Sequence, residues 1–595
     1  MTPSRFAEHL RLILAAILLM TAVPLLAEGD AADVGQSVDS AMDFRSEGPA
    51  ALPPPLKVAS GPLAVLPKAM LEVPHEVEAI NRWNAEQRKP VKNGFVRPME
   101  QALRIDLRPA AKAALPPGVV VEQTASGTVA ATRIDVDGAW RFRLRLTDVR
   151  LPPGTDLWVS DGQGRSVVFG LELLRDGGDL WTPSVEGGTL HLQVRIPAGA
   201  PNVGRLGFQV DAVAELFRLG QGGVALLGDA AEEKDSHCLE DAACFGNSDL
   251  SGYSTYQQAV AHLQFISGGG GFICSGAMIN DADDSSFVPY MLTANHCFST
   301  QAEASTLDAF FDYFASSCGG NAPSLSNVPR VSGADLLAST GRTDSTFIEL
   351  NRNPTGNTGY LGWTTTNVGT NANLYRISHP EGRPQNFSRT RTNNGNNGCT
   401  GIPNSRYIYS DPIVGATAGG SSGSPTVDSN LRIRGQLLGA CGPDPDNICN
   451  VNNDEVDGRF SEFFGMIRDF LQPEVNTTEC VPSDTVMCLG RNERFRVEGD
   501  WRDFDGNRGS FMTVPYTRDS GLVWFFNENN IEFLVKILNG CNFNGHFWVF
   551  AAATTDVEYT LTVTDTETGL VQTYSNPLGN AAAAITDTGA FETCP

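Results

Sequence analysis

GlyGlySerSerGlySerPro, residues 419–425, places three serines within four positions, hemmed in by glycines and closed by a proline. A serine hydroxyl is a weak nucleophile by itself. It needs a histidine to take its proton, an acid to orient that histidine, and backbone N–H groups to receive the charge that develops on the attacked oxygen. The reading of the stretch therefore depends on the rest of the chain. With no base and acid elsewhere, it reads as a flexible Gly/Ser linker.

Histidine is scarce, at positions 9, 75, 191, 237, 262, 296, 379 and 546. Only His296 closes an apolar, strand-like run, ValProTyrMetLeuThrAlaAsnHisCys (288–297), and its neighbour Cys297 can bridge to Cys274 at the head of CysSerGlyAlaMetIle (274–279). An acid suited to orient it is Asp344, which leads the β-rich run ThrAspSerThrPheIleGluLeu (343–350). Each residue alone reads as structural, His296 as a strand end and Asp344 as a turn former. Their combination with the serines points to nucleophilic catalysis.

Taken in order, ThrAlaAsnHisCys, AspSerThrPheIleGluLeu and GlySerSerGlySerPro resemble the trypsin-fold, chymotrypsin-type serine peptidases, most closely the secreted bacterial lysyl endopeptidases. The resemblance runs over roughly 236–473 and includes CysLeuGluAspAlaAlaCys (238–244) and GlyGlnLeuLeuGly (435–439). It implies a two-barrel β fold with the site in the cleft between barrels, and a triad of His296, Asp344 and Ser422. The family pattern of Gly, any residue, Ser, Gly, any residue, Pro fits Ser422 alone, with Gly420 two before, Gly423 next and Pro425 three after. It further implies that the N–H groups of Gly420 and Ser422 form the oxyanion hole. Implied disulfides are Cys274 with Cys297 and Cys244 with Cys318, with Cys238 reaching Cys441 or Cys449 and Cys399 taking the other. That last pair departs from the lysyl endopeptidase pattern.

The chain also departs from the family where specificity is set. The family's AspGlnTyrGlyArg stretch is matched by AsnAspGluValAspGlyArg (453–459), which puts Glu455 in place of the substrate-binding acid, with Asp454 and Asp457 as neighbours; the other reading of the stretch is an exposed acidic loop. Leu438 stands where the family carries a histidine, and His379 either lines the cleft or packs. One independent observation bears on the same question: lysines stand at 57, 68, 89, 92, 112 and 234, then not again until 536. A lysine-cutting enzyme free of lysine resists itself. Cleavage after lysine, with self-processing between Lys234 and Asp235, is the resulting expectation.

The remaining sequence places these motifs in a longer design. Arg5 and Arg11 flank the apolar run LeuIleLeuAlaAlaIleLeuLeuMet (12–20), so 1–27 read as a signal peptide and the chain as secreted. Twelve cysteines in two even groups, eight from 238 to 449 and four from 480 to 594, fit disulfides in an oxidising compartment, and their spacing lacks the paired CxxC of a zinc site. A net charge of -25 argues against nucleic acid as a partner.

Residues 28–234 read as an Ala/Pro-rich, loosely ordered leader to about 75 and then a β-rich propeptide. In it TrpArgPheArgLeuArgLeu (140–146) and LeuHisLeuGlnValArgIle (190–196) alternate as half-buried strands. Residues 235–475 form the protease-like domain, closing on a helix at 460–471, and 479–595 a C-terminal β-sandwich. The fold class expected is thus mostly β, a two-barrel domain between a β-rich prodomain and a β-sandwich. Protein or peptide substrates, no cofactor, no metal and a monomer complete the expectation, with a surface or polymer as candidate ligand of the C-terminal unit. The competing reading is a protease fold that has lost activity and serves binding or adhesion, or a serine endopeptidase of other specificity.

Overall fold

The computed structural model describes residues 73–86, 89–107, 118–163, 165–174, 179–200, 206–220, 238–282, 287–395, 399–472 and 480–594, with short strands at 37–38, 42–45, 64–66 and 223–224. The expected signal peptide and the Lys234–Asp235 junction lie outside the described residues. The chain is mostly β and divides into two compact units, Met1–Leu471 and Gln472–Pro595. No helix among the described residues is long and apolar enough to cross a membrane.

In the N-terminal part of the first unit, Thr189–Pro197 shows why the strands form: Leu190, Leu192, Val194 and Ile196 are buried while His191, Gln193 and Arg195 are only partly so. That strand pairs with Gly127–Val136 and Asp156–Ser160. The sheet packs on a second layer in which Gly207–Leu216 lies between Val91–Asp106 and Arg141–Arg150. One expectation fails here. Arg141–Arg150 is not half-buried, because Arg141 and Arg143 are themselves buried against residues beyond 300: Arg143 donates to Thr306 O at 2.6 Å and Arg141 to Ser326 Oγ at 3.1 Å. Within the leader, Ser37–Val38 and Met42–Arg45 add as strands to Gly362–Thr364 and Asn357–Tyr360.

Two rings of antiparallel strands follow. In the first, Val260–Ser267 turns through Gly268 and Gly269, both at positive φ, into Gly270–Met278. The path continues through Tyr290–Ala294, Ser345–Leu350 and Ala334–Thr340, which runs on from Arg330–Ser332, and returns by Asp308–Phe310. In the second, Arg432–Cys441, Pro425–Val427, Asn373–Ser378, Asn386–Thr392, Tyr407–Val414 and Asp454–Arg459 pair in turn, and the last pairs back with the first. Such closure leaves no open edge.

One apolar cluster joins the rings: Leu292 and Phe347 from the first, Ile377, Val427 and Ile433 from the second, and Phe460, Phe464 and Ile467 from the helix Phe460–Leu471. The helix buries Phe460, Phe463, Phe464, Ile467 and Leu471, the spacing of a single apolar stripe.

In the second unit, two five-stranded sheets share one core that includes Val497, Leu561 and Val563 from one sheet and Val535, Ile537 and Val549 from the other. Cys480–Cys488 and Cys541–Cys594 tie its ends.

Candidate active site

His296 and Asp344 come from the first ring. Tyr290–Ala294 and Ser345–Leu350 are paired neighbours, with Ala294 opposite Ser345, so the two residues just past that register meet at one end of the ladder. The His296 ring Nδ1 lies 2.6 Å from Asp344 Oδ2, and the His296 main-chain N–H donates to Asp344 Oδ1 at 2.9 Å. Two bonds to one carboxylate fix both the position and the tautomer of the imidazole, with Nδ1 as the donor. His296 Nε2 is buried and has no hydrogen-bond partner among the described residues. Cys274 is bonded to Cys297, pinning the residue after His296 to the neighbouring strand. Cys274, His296 and Cys297 group their ligand-type atoms closely, but both sulfurs are committed to this disulfide and offer no thiolate to a metal.

Asp344 sits at φ 55°, a left-handed conformation that costs a non-glycine residue energy unless its surroundings hold it. Gln436 of the second ring does so. Its Nε2 lies 2.9 Å from Thr343 O, 3.2 Å from Asp344 O and 2.8 Å from Ser345 Oγ. Asn295 N adds a bond to Asp344 O at 3.0 Å. Gln436 was not singled out from the sequence; its only signal was membership of GlyGlnLeuLeuGly.

The serines of 421–424 differ sharply in their surroundings. Ser421 and Ser424 are fully buried, at 0 % exposure, whereas Ser422 keeps 7 %. Ser421 Oγ accepts from Ser378 Oγ at 3.1 Å, and Ser424 Oγ donates to Ser421 O at 2.7 Å. Both hydroxyls hold the turn together.

The backbone of Ser422 is locked to the first ring: Ser275 N donates to Ser422 O at 2.8 Å. Gly423, at φ 80°, is a glycine for two reasons. A Cβ there would collide with Ser275 O at 2.6 Å and Ala294 N at 2.7 Å, and Ala294 stands two residues before His296. The absence of a side chain thus lets Ser422 approach the strand end that carries the histidine.

The N–H groups around the turn sort in the same way. Those of Ser421, Gly423 and Ser424 are taken up by Ala418 O, Leu437 O and Ser421 O, while those of Gly420 and Ser422 find no partner among the described residues. Gly420 is held by its carbonyl, which accepts from Ser275 Oγ at 2.9 Å. His379 does not enter this chemistry. It is buried beneath the turn, its N–H donating to Ser275 Oγ at 2.9 Å and its Nδ1 to Arg383 O at 2.9 Å. Desolvation lowers its pKa to about 4, against the opposing effect of the Arg383 bond.

Glu455 and Asp454 lie on a buried strand, Asp454–Arg459. Glu455 faces Arg376 at 3.4 Å, and Asp457 shares that guanidinium at 2.6 Å. Burial raises both carboxyls while Arg376 opposes the rise. Two carboxyls on one guanidinium leave one acid in excess. Asp454 instead accepts from Asn393 Nδ2 at 2.7 Å. The other cysteines pair Cys244 with Cys318, Cys238 with Cys449 and Cys399 with Cys441.

Comparison with known proteins bears on this site. Residues 233–455 match the family described as lysyl endopeptidase, C-terminal domain. The chain is 29% identical over 301 residues to a lysyl endopeptidase of Pseudomonas aeruginosa, covering 48% of this chain and 61% of that protein. It is 29% identical over 264 residues to secreted RxLR effector protein 73 of Plasmopara viticola, covering 42% of this chain and 60% of that one. It thus spans about three-fifths of the length of these curated relatives. Among solved structures, the thermostable serine protease AL20 of an extremophilic microorganism overlaps 37% of this chain and 99% of its own at 14% identity and a TM-score of 0.27. The MamO protease domain of Magnetospirillum magneticum overlaps 37% and 99% at 15% identity and a TM-score of 0.25. Over residues 233–455, the span that holds His296, Asp344 and Ser422, the chain matches the family of lysyl endopeptidase C-terminal domains.

Proposed function

We propose that the protein is a secreted serine endopeptidase that hydrolyses peptide bonds through an acyl-enzyme at Ser422. The observation that carries this reading is the His296–Asp344 pair, bonded at 2.6 Å with Nε2 left free, beside a serine whose backbone is tied to the same ring. In the first step Ser422 Oγ attacks the substrate carbonyl as His296 Nε2 takes its proton, and the unspent N–H groups of Gly420 and Ser422 receive the oxyanion. His296 then returns the proton to the departing amine. Asp344 holds and stabilises the imidazolium, and a water repeats the sequence to release the acid.

The preferred residue before the scissile bond is lysine in this reading. The buried group of two carboxyls, Glu455 and Asp457, on the single guanidinium of Arg376 supports it, as does the lysine-free stretch from 235 to 535. Glu455 is the acid assigned to the substrate cation, with Asp454 a neighbour on the same strand. The β-rich region before Asp235 is assigned as a propeptide released after Lys234, and the C-terminal unit as an accessory domain.

The test is labelling by a fluorophosphonate, followed by cleavage of a peptide library. Labelling of the processed wild type that vanishes in Ser422→Ala, with cuts concentrated after lysine, is expected. A processed protein that does not label would end the enzyme reading, and cuts after other residues would end the lysine assignment alone.

A further inference from the structure

A cationic side chain from far upstream lies beside the proposed reaction centre. Lys89 Nζ donates to Leu438 O, and a Cβ placed on Gly439 would coincide with that ammonium. The crevice exists because residue 439 is glycine and because Leu438 is the bulged residue of its strand. Pairing with Asp454–Arg459 skips from Leu437 to Gly439 and leaves the Leu438 carbonyl out of the ladder. Leu438 follows directly on Leu437, whose carbonyl takes the Gly423 N–H, so the crevice borders the serine turn. The negative charge of Asp344 also acts on Lys89, although desolvation is the larger effect and lowers the lysine pKa.

The backbone after Lys89 is fixed from several sides. Ile273, next to Cys274, pairs with Val91, and Phe272 pairs with Lys92. A Cβ on Gly419, at the head of the serine turn, would run into Val91. From the outer side the helix Val73–Ala85 holds the segment: Trp83 Nε1 donates to Pro90 O at 2.9 Å, while Asn84 bonds both Lys92 O and Lys92 N at 2.9 Å. Lys89 is exposed along its length, while its ammonium end is the desolvated part, held on Leu438 O. Beyond it, the buried contacts of Arg141 and Arg143 anchor the same N-terminal region to the first ring.

We propose that Lys89–Val91 is an inhibitory plug carried by the chain itself: Lys89 occupies the Leu438–Gly439 crevice beside the serine turn, and Val91 closes off the turn. The proposal rests on the endopeptidase reading and extends it, since the plug presents the residue type assigned to the substrate. The bond that follows Lys89 is prolyl, with a ring carbon in place of the amide hydrogen. The segment therefore binds with a lysine yet does not offer the ordinary amide of a substrate.

The test uses the full chain. The rate of fluorophosphonate labelling at Ser422 is compared between the uncleaved and the processed wild type, and between uncleaved wild type, Lys89→Met and the control Lys92→Met. Lys89 acetylation in native and denatured uncleaved chain is followed by mass spectrometry. At least tenfold slower labelling of the uncleaved wild type, recovery of most of that factor by Lys89→Met but not Lys92→Met, and at least tenfold protection of Lys89 are expected. Equal labelling of uncleaved and processed wild type overturns the plug whatever the fate of the variants. So does acetylation of Lys89 at the denatured rate. A processed wild type that fails to label overturns the endopeptidase reading and the plug together, an outcome distinct from the first two.

Discussion

His296 and Asp344 are joined twice, ring Nδ1 to Oδ2 at 2.6 Å and main-chain N–H to Oδ1 at 2.9 Å, so the carboxylate sets both where the imidazole stands and which nitrogen carries its proton. Asp344→Asn keeps the shape but turns an acceptor into a group that can present N–H to Nδ1, which favours the wrong tautomer. We expect kcat to fall about ten-thousandfold with circular dichroism unchanged. A fall of less than tenfold would remove Asp344 from the proposed triad.

The three serines of the turn are expected to separate cleanly. Ser422→Ala abolishes labelling and leaves stability within about 0.5 kcal/mol, as for a substitution that breaks no structural contact. Ser424→Ala removes the hydroxyl bonded to Ser421 O, and costs about 1 kcal/mol in denaturant unfolding while labelling persists. If Ser424→Ala silences the enzyme and Ser422→Ala does not, the assignment of the nucleophile is reversed.

Gln436 bridges the rings by placing one amide on Thr343 O, Asp344 O and Ser345 Oγ. Gln436→Leu removes these three bonds, leaving Asp344 O with Asn295 N alone and Ser345 Oγ with Thr343, and loosens a residue held at positive φ. A loss of about 1–3 kcal/mol in stability follows, with kcat reduced about tenfold or more and KM little changed, as expected for a misplaced acid. Steady-state kinetics at several pH values check this, since a purely structural loss would not alter the profile.

Burial depresses the pKa of His379 to about 4 in the folded chain. Between that value and the ordinary histidine pKa near 6.5, the unfolded chain binds a proton that the folded one does not. Stability is then lost as pH falls from about 6.5 toward 4, by about 3 kcal/mol for this residue. His262, 5.4 Å away ring to ring and also lowered by burial, acts in the same sense. Denaturant midpoints from pH 7 to 4 should show the slope, and His379→Asn should flatten it. A slope identical in the variant would contradict the assignment.

Much of this design was legible in residue order. The mostly β class came from alternating runs such as LeuHisLeuGlnValArgIle, and His296, Asp344 and Ser422 came from short motifs whose residue types are dictated by proton transfer. The closing helix was legible for a similar reason, since its apolar stripe is a local periodicity. The one failure has a cause beyond local pattern. Arg141 and Arg143 alternate like solvent-facing residues, yet they are buried against partners that include Ser326 and Thr306, more than 160 positions away. Alternation reports that one face differs from the other and says nothing of what covers the polar face.

The sequence by itself determined the chemistry on offer: three serines in a glycine turn, one histidine at a strand end, one acid ahead of a strand, and cysteines enough to staple them. Only the tertiary structure decided which groups are free and which are spent. It committed the hydroxyls of Ser421 and Ser424 to the turn, placed Gln436 behind Asp344, turned Glu455 and Asp457 toward Arg376, and laid Lys89 on the Leu438 carbonyl. The physical reason is that hydrogen bonds and ion pairs depend on distances of about 3 Å, and closure of the strands into rings sets those distances between residues that no local pattern relates.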